Sequence, residues 1–448
     1  MKKTLLIYGV YAVFAALLVG MGLEMGVNQR EFAIYILPIL LILALLPMAV
    51  DVVGSLCLVI AWLPFSRGVA QFELGVITLN PYIVGMTVFA IIIVVQSIFK
   101  KNSYSVSKTD FYIFLITVIY FISTVFSDDV IESGYLAFHA IFVPVVTYVA
   151  CKGFIRTKGD SEKATNFLIV SIAVFSCMAV AQFAVTDQRV AMLGMPFIGV
   201  STLCTIGLLL LMGVKRWKSP MWAAIAVVIL LGLIVTFSRM YLVILLFAPW
   251  IYSWIKKGKS SRLISSIFLV TLIGTVVISI NPEPFKPDRF DRSLERSFER
   301  ITSLDFWKGS IYGRAYSYHA GLERFVESPL IGHGLKKGKN NITTHNFHVE
   351  WLEYSGLLGY ILWVLLFYNH FRMMEGVARE DNYIAANLLG VVVILINSVT
   401  NGFMHGVMPT VAFMLIGFNE ARFRILKISS RGGSASELKN LRRKVVTK

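Results

Sequence analysis

Charge is what this chain has little of. Asp, Glu, Lys and Arg make up 15% of its 448 residues, where a soluble protein carries about 25%. With 56% hydrophobic residues and a mean hydropathy of +0.72, that shortage excludes a soluble globular fold. Cysteine is scarce as well. Cys57, Cys151, Cys177 and Cys204 lie in or beside apolar segments without metal-ligand spacing, which excludes a disulfide framework and a zinc site. They read as small buried hydrophobes. The apolar runs lack a period of two, which excludes a membrane barrel. No basic-aromatic module accompanies the net charge of +16, so nucleic acid is not expected as a partner. The positive charge reads instead as topogenic and directed at membrane lipids.

What is present is a series of long apolar runs. Segments of roughly 17–25 residues, each able to cross a ~30 Å hydrocarbon core, recur throughout. They predict an all-α polytopic membrane protein with spans at 5–22, 33–48, 51–65, 76–98, 111–126, 133–151, 164–185, 197–214, 221–236, 240–255, 263–281, 348–369, 383–400 and 404–420. The expected number is twelve to fourteen, because the pairs around Asp51 and around Ser238-Arg239 are short enough to be broken helices. Met1-Lys2-Lys3 and the apolar run to Gly22 read as a retained first span rather than a cleaved leader.

Positive charge sets the expected orientation. Lys100-Lys101 with Lys108, the 152–163 loop, Lys215-Arg216-x-Lys218, Lys256-Lys257-x-Lys259 with Arg262, Arg372 and Arg379 share one side with the N-terminus and the tail. That side is predicted to be cytoplasmic. Ser127-Asp128-Asp129, Thr186-Asp187 and the Asn401–His405 turn fall on the other. The predicted organisation is transmembrane helices over 1–281, an external (periplasmic) loop domain over 282–347, transmembrane helices over 348–420 and a basic cytoplasmic tail over 421–448. The outer loop holds eleven Lys/Arg against eight Asp/Glu. Positive charge kept there against the topogenic preference points to an anionic ligand.

Within that loop, Pro282, Pro284 and Pro287 end the preceding span. The following stretch predicts an amphipathic helix with Phe290, Leu294, Phe298 and Ile301 on one stripe and Arg289, Arg292, Arg296 and Arg300 on another. Interleaved acids make it either a salt-bridged surface helix or a ligand face. A second helix is predicted from Gly313 to Glu327, with Arg314, Tyr318, Leu322 and Phe325 near one face. Ser328-Pro329 ends it, and Gly332 and Gly334 supply a tight turn. Lys336, Lys337 and Lys339 make a basic loop. Thr343 or Thr344 is positioned to cap the next helix, which His345 precedes.

These residues carry a resemblance. Gly313-Arg314, the Glu327-to-Gly334 stretch Glu-Ser-Pro-Leu-Ile-Gly-x-Gly, and His345-Asn346 separated by nine residues from Gly356-Leu-Leu-Gly359 are similar to the signature region of the O-antigen ligase and O-antigen polymerase superfamily. Thr236-Phe-Ser-Arg239 resembles that family's Ser-Arg motif. The likeness covers about 125 residues, in the family's order. It implies a GT-C-like helical membrane glycosyltransferase of the bacterial inner membrane, with its site facing the periplasm. The implied donor is a glycan on undecaprenyl diphosphate. The implied acceptor is a sugar hydroxyl, on a lipid-A core for a ligase or on a second lipid-linked glycan for a polymerase. His333 stands where such turns usually carry an apolar residue.

The chemistry of that reaction fits the residue types. A diphosphate leaving group calls for fixed positive charge, and arginine offers a forked donor that stays ionised. Arg239 and Arg314 are the expected clamp. Headgroup snorkelling and a salt bridge are their bland alternatives. The acceptor hydroxyl needs a base, and His345 is the candidate, its alternative being a cap. His348 is a rival base. Asn346, Tyr318 and His348 are further candidates for binding substrate beside the two arginines. His319 and His333 are weaker, and His405 with Asn401 is either a sugar contact or packing. No metal or other cofactor is needed in this scheme. A polysaccharide transporter or flippase is the alternative function. It would be built on inverted repeats and deep ionisable residues, and the chain shows no evident repeat.

Overall fold

The architecture follows from where polar residues interrupt the apolar runs. The computed structural model describes residues 51–66, 72–74, 77–99, 105–186, 197–214, 219–279, 304–335, 344–404 and 407–430. The predicted spans 5–22 and 33–48, the helix around 288–301, Lys336, Lys337, Lys339, His405 and the tail beyond 430 lie outside the described residues. Among the described residues the helices are α1 (Val52–Ala61), α2 (Pro81–Ile98), α3 (Lys108–Val125), α4 (Val130–Ala137), α5 (Val143–Phe154), α6 (Lys158–Thr186) and α7 (Phe197–Val214). They continue as α8 (Pro220–Ile234), α9 (Arg239–Lys256), α10 (Ser260–Ser279), α11 (Leu304–Glu327), α12 (Phe347–Ala378), α13 (Asn382–Asn401) and α14 (Met408–Ser430). A π-helical turn, Phe138–Phe142, joins α4 to α5.

Among the described residues six helices are long and apolar enough to cross a membrane: Lys108–Val125, Val130–Phe154, Lys158–Val185, Ser260–Ser279, Phe347–Ala378 and Asn382–Asn401. Shorter apolar helices accompany them at Val52–Phe65, Tyr82–Ile98, Ile198–Gly213, Pro220–Ile234 and Met240–Lys256. The chain is an all-α polytopic membrane protein. One exception is small. Phe72–Leu74 and Ile77–Leu79 pair as an antiparallel hairpin, so the helix expected from residue 76 begins instead at Pro81. Proline suits the first helical position, and the Asn80 side chain accepts from Ile83 N at 2.9 Å to cap it.

Helix α13 lies at the centre, packed on α7, α9, α12 and α14. Contacts at the two ends of α10 fix the bundle's sense. At one end, Ser261 donates to Glu375 of α12 at 2.9 Å. At the other, Asn346 reaches Thr275 at 2.8 Å. The first end gathers buried charge. Lys152 of α5 pairs with Asp110 of α3 and lies 3.7 Å from Glu420 of α14, and Tyr148 donates to Asp110 at 2.8 Å. Removing the cation leaves the half-buried Asp110 and the buried Glu420 without the charge that serves both. Lys152→Met is therefore expected to destabilise the protein by about 3–5 kcal/mol, read as a lowered thermal midpoint in detergent. An unchanged midpoint would show that the cluster does not hold α3, α5 and α14 together.

The feature that most affects the site is a break in α12. Thirty-two helical residues would cover about 48 Å, well beyond a ~30 Å membrane core. The helix does not run straight. Gly356 has φ 64° and ψ −170°. Trp351 and Trp363 stack at 5.0 Å, and His348 meets the Tyr360 hydroxyl at 3.0 Å. Each pair is twelve residues apart, a spacing that would cover about 18 Å in an unbroken helix. Residues 347–355 thus fold over the start of the span, and the crossing helix begins at Leu357. The expected uninterrupted span 348–369 is corrected accordingly.

The Ser328–Gly334 turn completes the break. Leu357 and Leu358 N–H donate to the Pro329 and Leu330 carbonyls at 2.8 and 3.3 Å. His333 and Gly334 N–H donate to the Glu353 and Tyr354 carbonyls at 2.9 and 3.1 Å. One turn satisfies both the last carbonyls of the first segment and the first amides of the second. A Cβ at Gly356 would lie 2.3 Å from the Leu330 carbonyl carbon and oxygen. Its backbone region is essentially restricted to glycine and strains other residues by about 1–3 kcal/mol. Gly356→Ala is expected to unpair the turn, seen as new protease cleavage between residues 328 and 335. Wild-type resistance would contradict the mutual cap.

Candidate active site at the end of α13

The last carbonyls of a helix have no partner within it. Those of α13 are met by side chains from two other elements. Arg314 of α11 donates from Nε to the Thr400 carbonyl at 3.1 Å. Tyr318, one helical turn further on, donates to the Val399 carbonyl at 2.7 Å, and the His345 carbonyl lies 3.4 Å from the same hydroxyl. Asn346 Nδ2 donates to the Val399 carbonyl at 3.0 Å. Arg314, Tyr318, His345 and Asn346 therefore meet at one corner. The shared face expected for Arg314 and Tyr318 is the face of α11 that reaches the last carbonyls of α13.

Their exposure differs. Arg314 is half-buried and the His345 side chain is exposed, while Tyr318, Asn346 and His348 are buried. Burial pulls the Arg314 pKa below its ordinary value, with Tyr318 acting the other way. An arginine nonetheless stays charged, and the negative end of the α13 dipole favours a cation there. Burial pushes the Tyr318 phenol up, so it acts as a neutral donor.

Asn346 caps the folded-over segment of α12. Its Oδ1 accepts from His348 N at 2.9 Å and Val349 N at 3.3 Å. Its Nδ2 also donates to Thr275 of α10 at 2.8 Å. Both ends of the amide are thus committed to protein groups that join α10, α12 and α13. The cap expected from Thr343 or Thr344 is supplied by Asn346. His348 is fully buried, with Nε2 2.8 Å from the Thr271 hydroxyl and Nδ1 3.0 Å from that of Tyr360. The polar atoms of Tyr318, Asn346 and His348 face protein partners rather than an open surface. Burial has matched these polar atoms with partners inside the protein.

Arg239 is the first residue of α9, after the Ser238 N-cap. Its side chain lies outside the described residues. The preceding Phe237 has φ 49°, a value uncommon outside glycine. Thr236-Phe237-Ser238 therefore forms a turn between α8 and α9, ending in the arginine.

Two buried acids were not singled out from the sequence. Glu353 is held by Arg324 of α11 at 2.8 Å and by the Thr344 hydroxyl at 2.9 Å. This pair ties the far half of α11 to the folded-over segment. Glu350 Oε2 accepts from Phe403 and Met404 N–H at 2.6 and 3.0 Å, which fixes the turn after α13. The signal for both was available: ionised residues inside an apolar run are costly and need partners. Which partners they have is tertiary information. His333 Nε2 lies 2.8 Å from the Arg324 carbonyl, a use for the polar residue found where the family pattern carries an apolar one. His319 contacts Glu323 at 3.3 Å on the exposed side of α11.

Residues 224–367 match the family model described as O-antigen ligase. No curated protein matches the chain. The matched segment runs from α8 into α12 and contains Arg239, Arg314, the Ser328–Gly334 turn, His345-Asn346 and the Gly356 break. The carbonyls of Val399 and Thr400, which organise the corner, lie beyond it. Over these residues the chain is similar to the family so described.

Proposed function

We propose that this protein is a glycosyltransferase of the O-antigen ligase or polymerase type, moving a glycan from an undecaprenyl-diphosphate carrier to a sugar hydroxyl. The observation that supports this reading is the meeting of the Arg314 and Tyr318 side chains with the His345 backbone carbonyl and Asn346 at the end of α13, all four residues lying inside the segment that matches the family model. The acceptor oxygen attacks the anomeric carbon of the donor sugar. The bond from that carbon to the diphosphate oxygen breaks, and the electron pair leaves with the carrier. His345 takes the acceptor proton. Arg314, joined by Arg239 from the head of α9, stabilises the charge growing on the diphosphate. Tyr318, Asn346 and His348 serve as positioning residues beneath them. The donor is membrane-borne, and the site faces the periplasm of a bacterial inner membrane. The acceptor is a lipid-A core sugar or a second lipid-linked glycan.

Purified full-length protein in vesicles with carrier-linked glycan tests the reading. Longer chains from the donor alone would identify a polymerase. Product formed only after a sugar acceptor is added would identify a ligase. No new glycosidic bond under either condition would remove the proposal. A transport reading draws on the buried Lys152, Asp110, Glu420 and His370 cluster, since deep ionisable groups mark ion pathways. That cluster lies at the opposite end of the bundle from Arg314.

A further inference from the structure

The exposed side chains of α11 change character along its last turns. His319 and Glu323 are exposed and polar. Val326 is 72% exposed and Leu330 62% exposed, and Pro329 between them is exposed too. These apolar groups adjoin the part of α12 that faces outward. Leu357, Leu358 and Ile361 are exposed, and the Leu330 carbonyl accepts directly from Leu358 N. Helix α3 meets the same place. Its Ser123 donates to the Tyr354 carbonyl at 2.5 Å, and Phe121, Val125 and Phe126 around it are exposed. The apolar surface that two membrane spans turn toward lipid therefore continues onto the Ser328–Gly334 turn.

The backbone of that turn points the same way. Irregular backbone enters a bilayer only where its polar groups find internal partners. The carbonyls of Pro329 and Leu330 and the amides of His333 and Gly334 are all bonded across the α12 break. Gly332 N–H donates to the Ser328 carbonyl at 3.0 Å, and the Ser328 hydroxyl donates to the Gly332 carbonyl at 3.0 Å. Pro329 has no N–H to satisfy. The pairing that caps the α12 break thus also spares these groups of the turn any need for water.

We propose that the Ser328–Gly334 turn, with Val326 at the end of α11, inserts into the acyl-chain edge of the leaflet on the α11 side. Glu327, 3.8 Å from His333, and Glu323 mark the upper boundary at the headgroups. Insertion holds α11 down on the membrane surface, so that Arg314 meets an anion carried by a lipid rather than one arriving from bulk water. The inference rests on the membrane-spanning architecture. It stands or falls separately from the glycan-transfer reading.

The test uses the full chain with exposed Cys177 replaced by serine. Single cysteines Val326→Cys, Leu330→Cys and Glu323→Cys are spin-labelled in phosphatidylethanolamine–phosphatidylglycerol vesicles. Collision with oxygen, which partitions into lipid, is compared with collision with a water-soluble nickel chelate. A severalfold higher oxygen-to-nickel ratio at 326 and 330 than at 323 is the expected result. Equal ratios, or a label at 330 shielded from both reagents, would overturn the proposal. Leu330→Trp gives a second reading if a cysteine variant fails to fold. Brominated-lipid quenching in excess of that of the eight native tryptophans supports insertion, and excess quenching by acrylamide alone refutes it.

Discussion

Alanine at His345 is expected to lower glycan transfer by about 10²–10⁴-fold, the usual contribution of a positioned general base. The His345 side chain is exposed, so its loss leaves no cavity and should not disturb insertion or the thermal midpoint. The backbone at this position is anchored. The His345 carbonyl faces Tyr318, and Asn346 next to it caps α12. The variant therefore separates chemistry from structure. His348→Ala is the informative comparison. That ring is buried and bonded on both nitrogens, so its loss should lower stability as well as rate. Near-normal transfer by His345→Ala in reconstituted vesicles would refute the base assignment.

Arg314→Ala is expected to reduce kcat by about 10²–10³-fold, as removal of one donor to a developing negative charge does elsewhere. Loss of the bond to the Thr400 carbonyl by itself costs about 0.5–1.5 kcal/mol net. Arg314→Lys should recover only part of the rate. Lysine keeps the charge, but it lacks the planar fork whose Nε bonds the Thr400 carbonyl. A variant that loses stability while keeping kcat would show that Arg314 is a strut for α13 and not a diphosphate contact.

Much of this fold was legible in the sequence because burial in lipid needs long apolar runs. The expected span 383–400 became Asn382–Asn401, and 164–185 lies within Lys158–Thr186. The second loop helix and its ending at Ser328-Pro329 were also readable, although α11 begins at Leu304, before the expected Gly313. The break at Gly356 was not readable. Apolar residues continue on both sides of it, so periodicity gives no sign of a bend. It depends on a turn twenty or more residues earlier that supplies the missing partners.

The site was legible as residue types and order, and less so as roles. Asn is a favoured helix cap, yet Asn346 stands beside two threonines, and only its contacts show which residue starts α12. His345 and His348 are three residues apart and were candidates for the same work. The fold separates them, leaving one exposed and the other beneath it against α10. The carbonyls that gather Arg314, Tyr318 and Asn346 belong to α13, where no side-chain pattern marks them. They act because a helix end exposes backbone acceptors.

The corner at the end of α13 is read as a place where a bond is made, while the buried charges at the other end are read as structural. One measurement separates these from the transport alternative. Full-length protein in sealed vesicles is given carrier-linked glycan and a sugar acceptor. Glycosidic product, released undecaprenyl diphosphate and intact carrier-linked glycan on each side of the membrane are then counted. The account predicts one released carrier diphosphate for each glycosidic bond formed, with no net movement of intact donor. Redistribution of intact carrier-linked glycan without bond formation would contradict it.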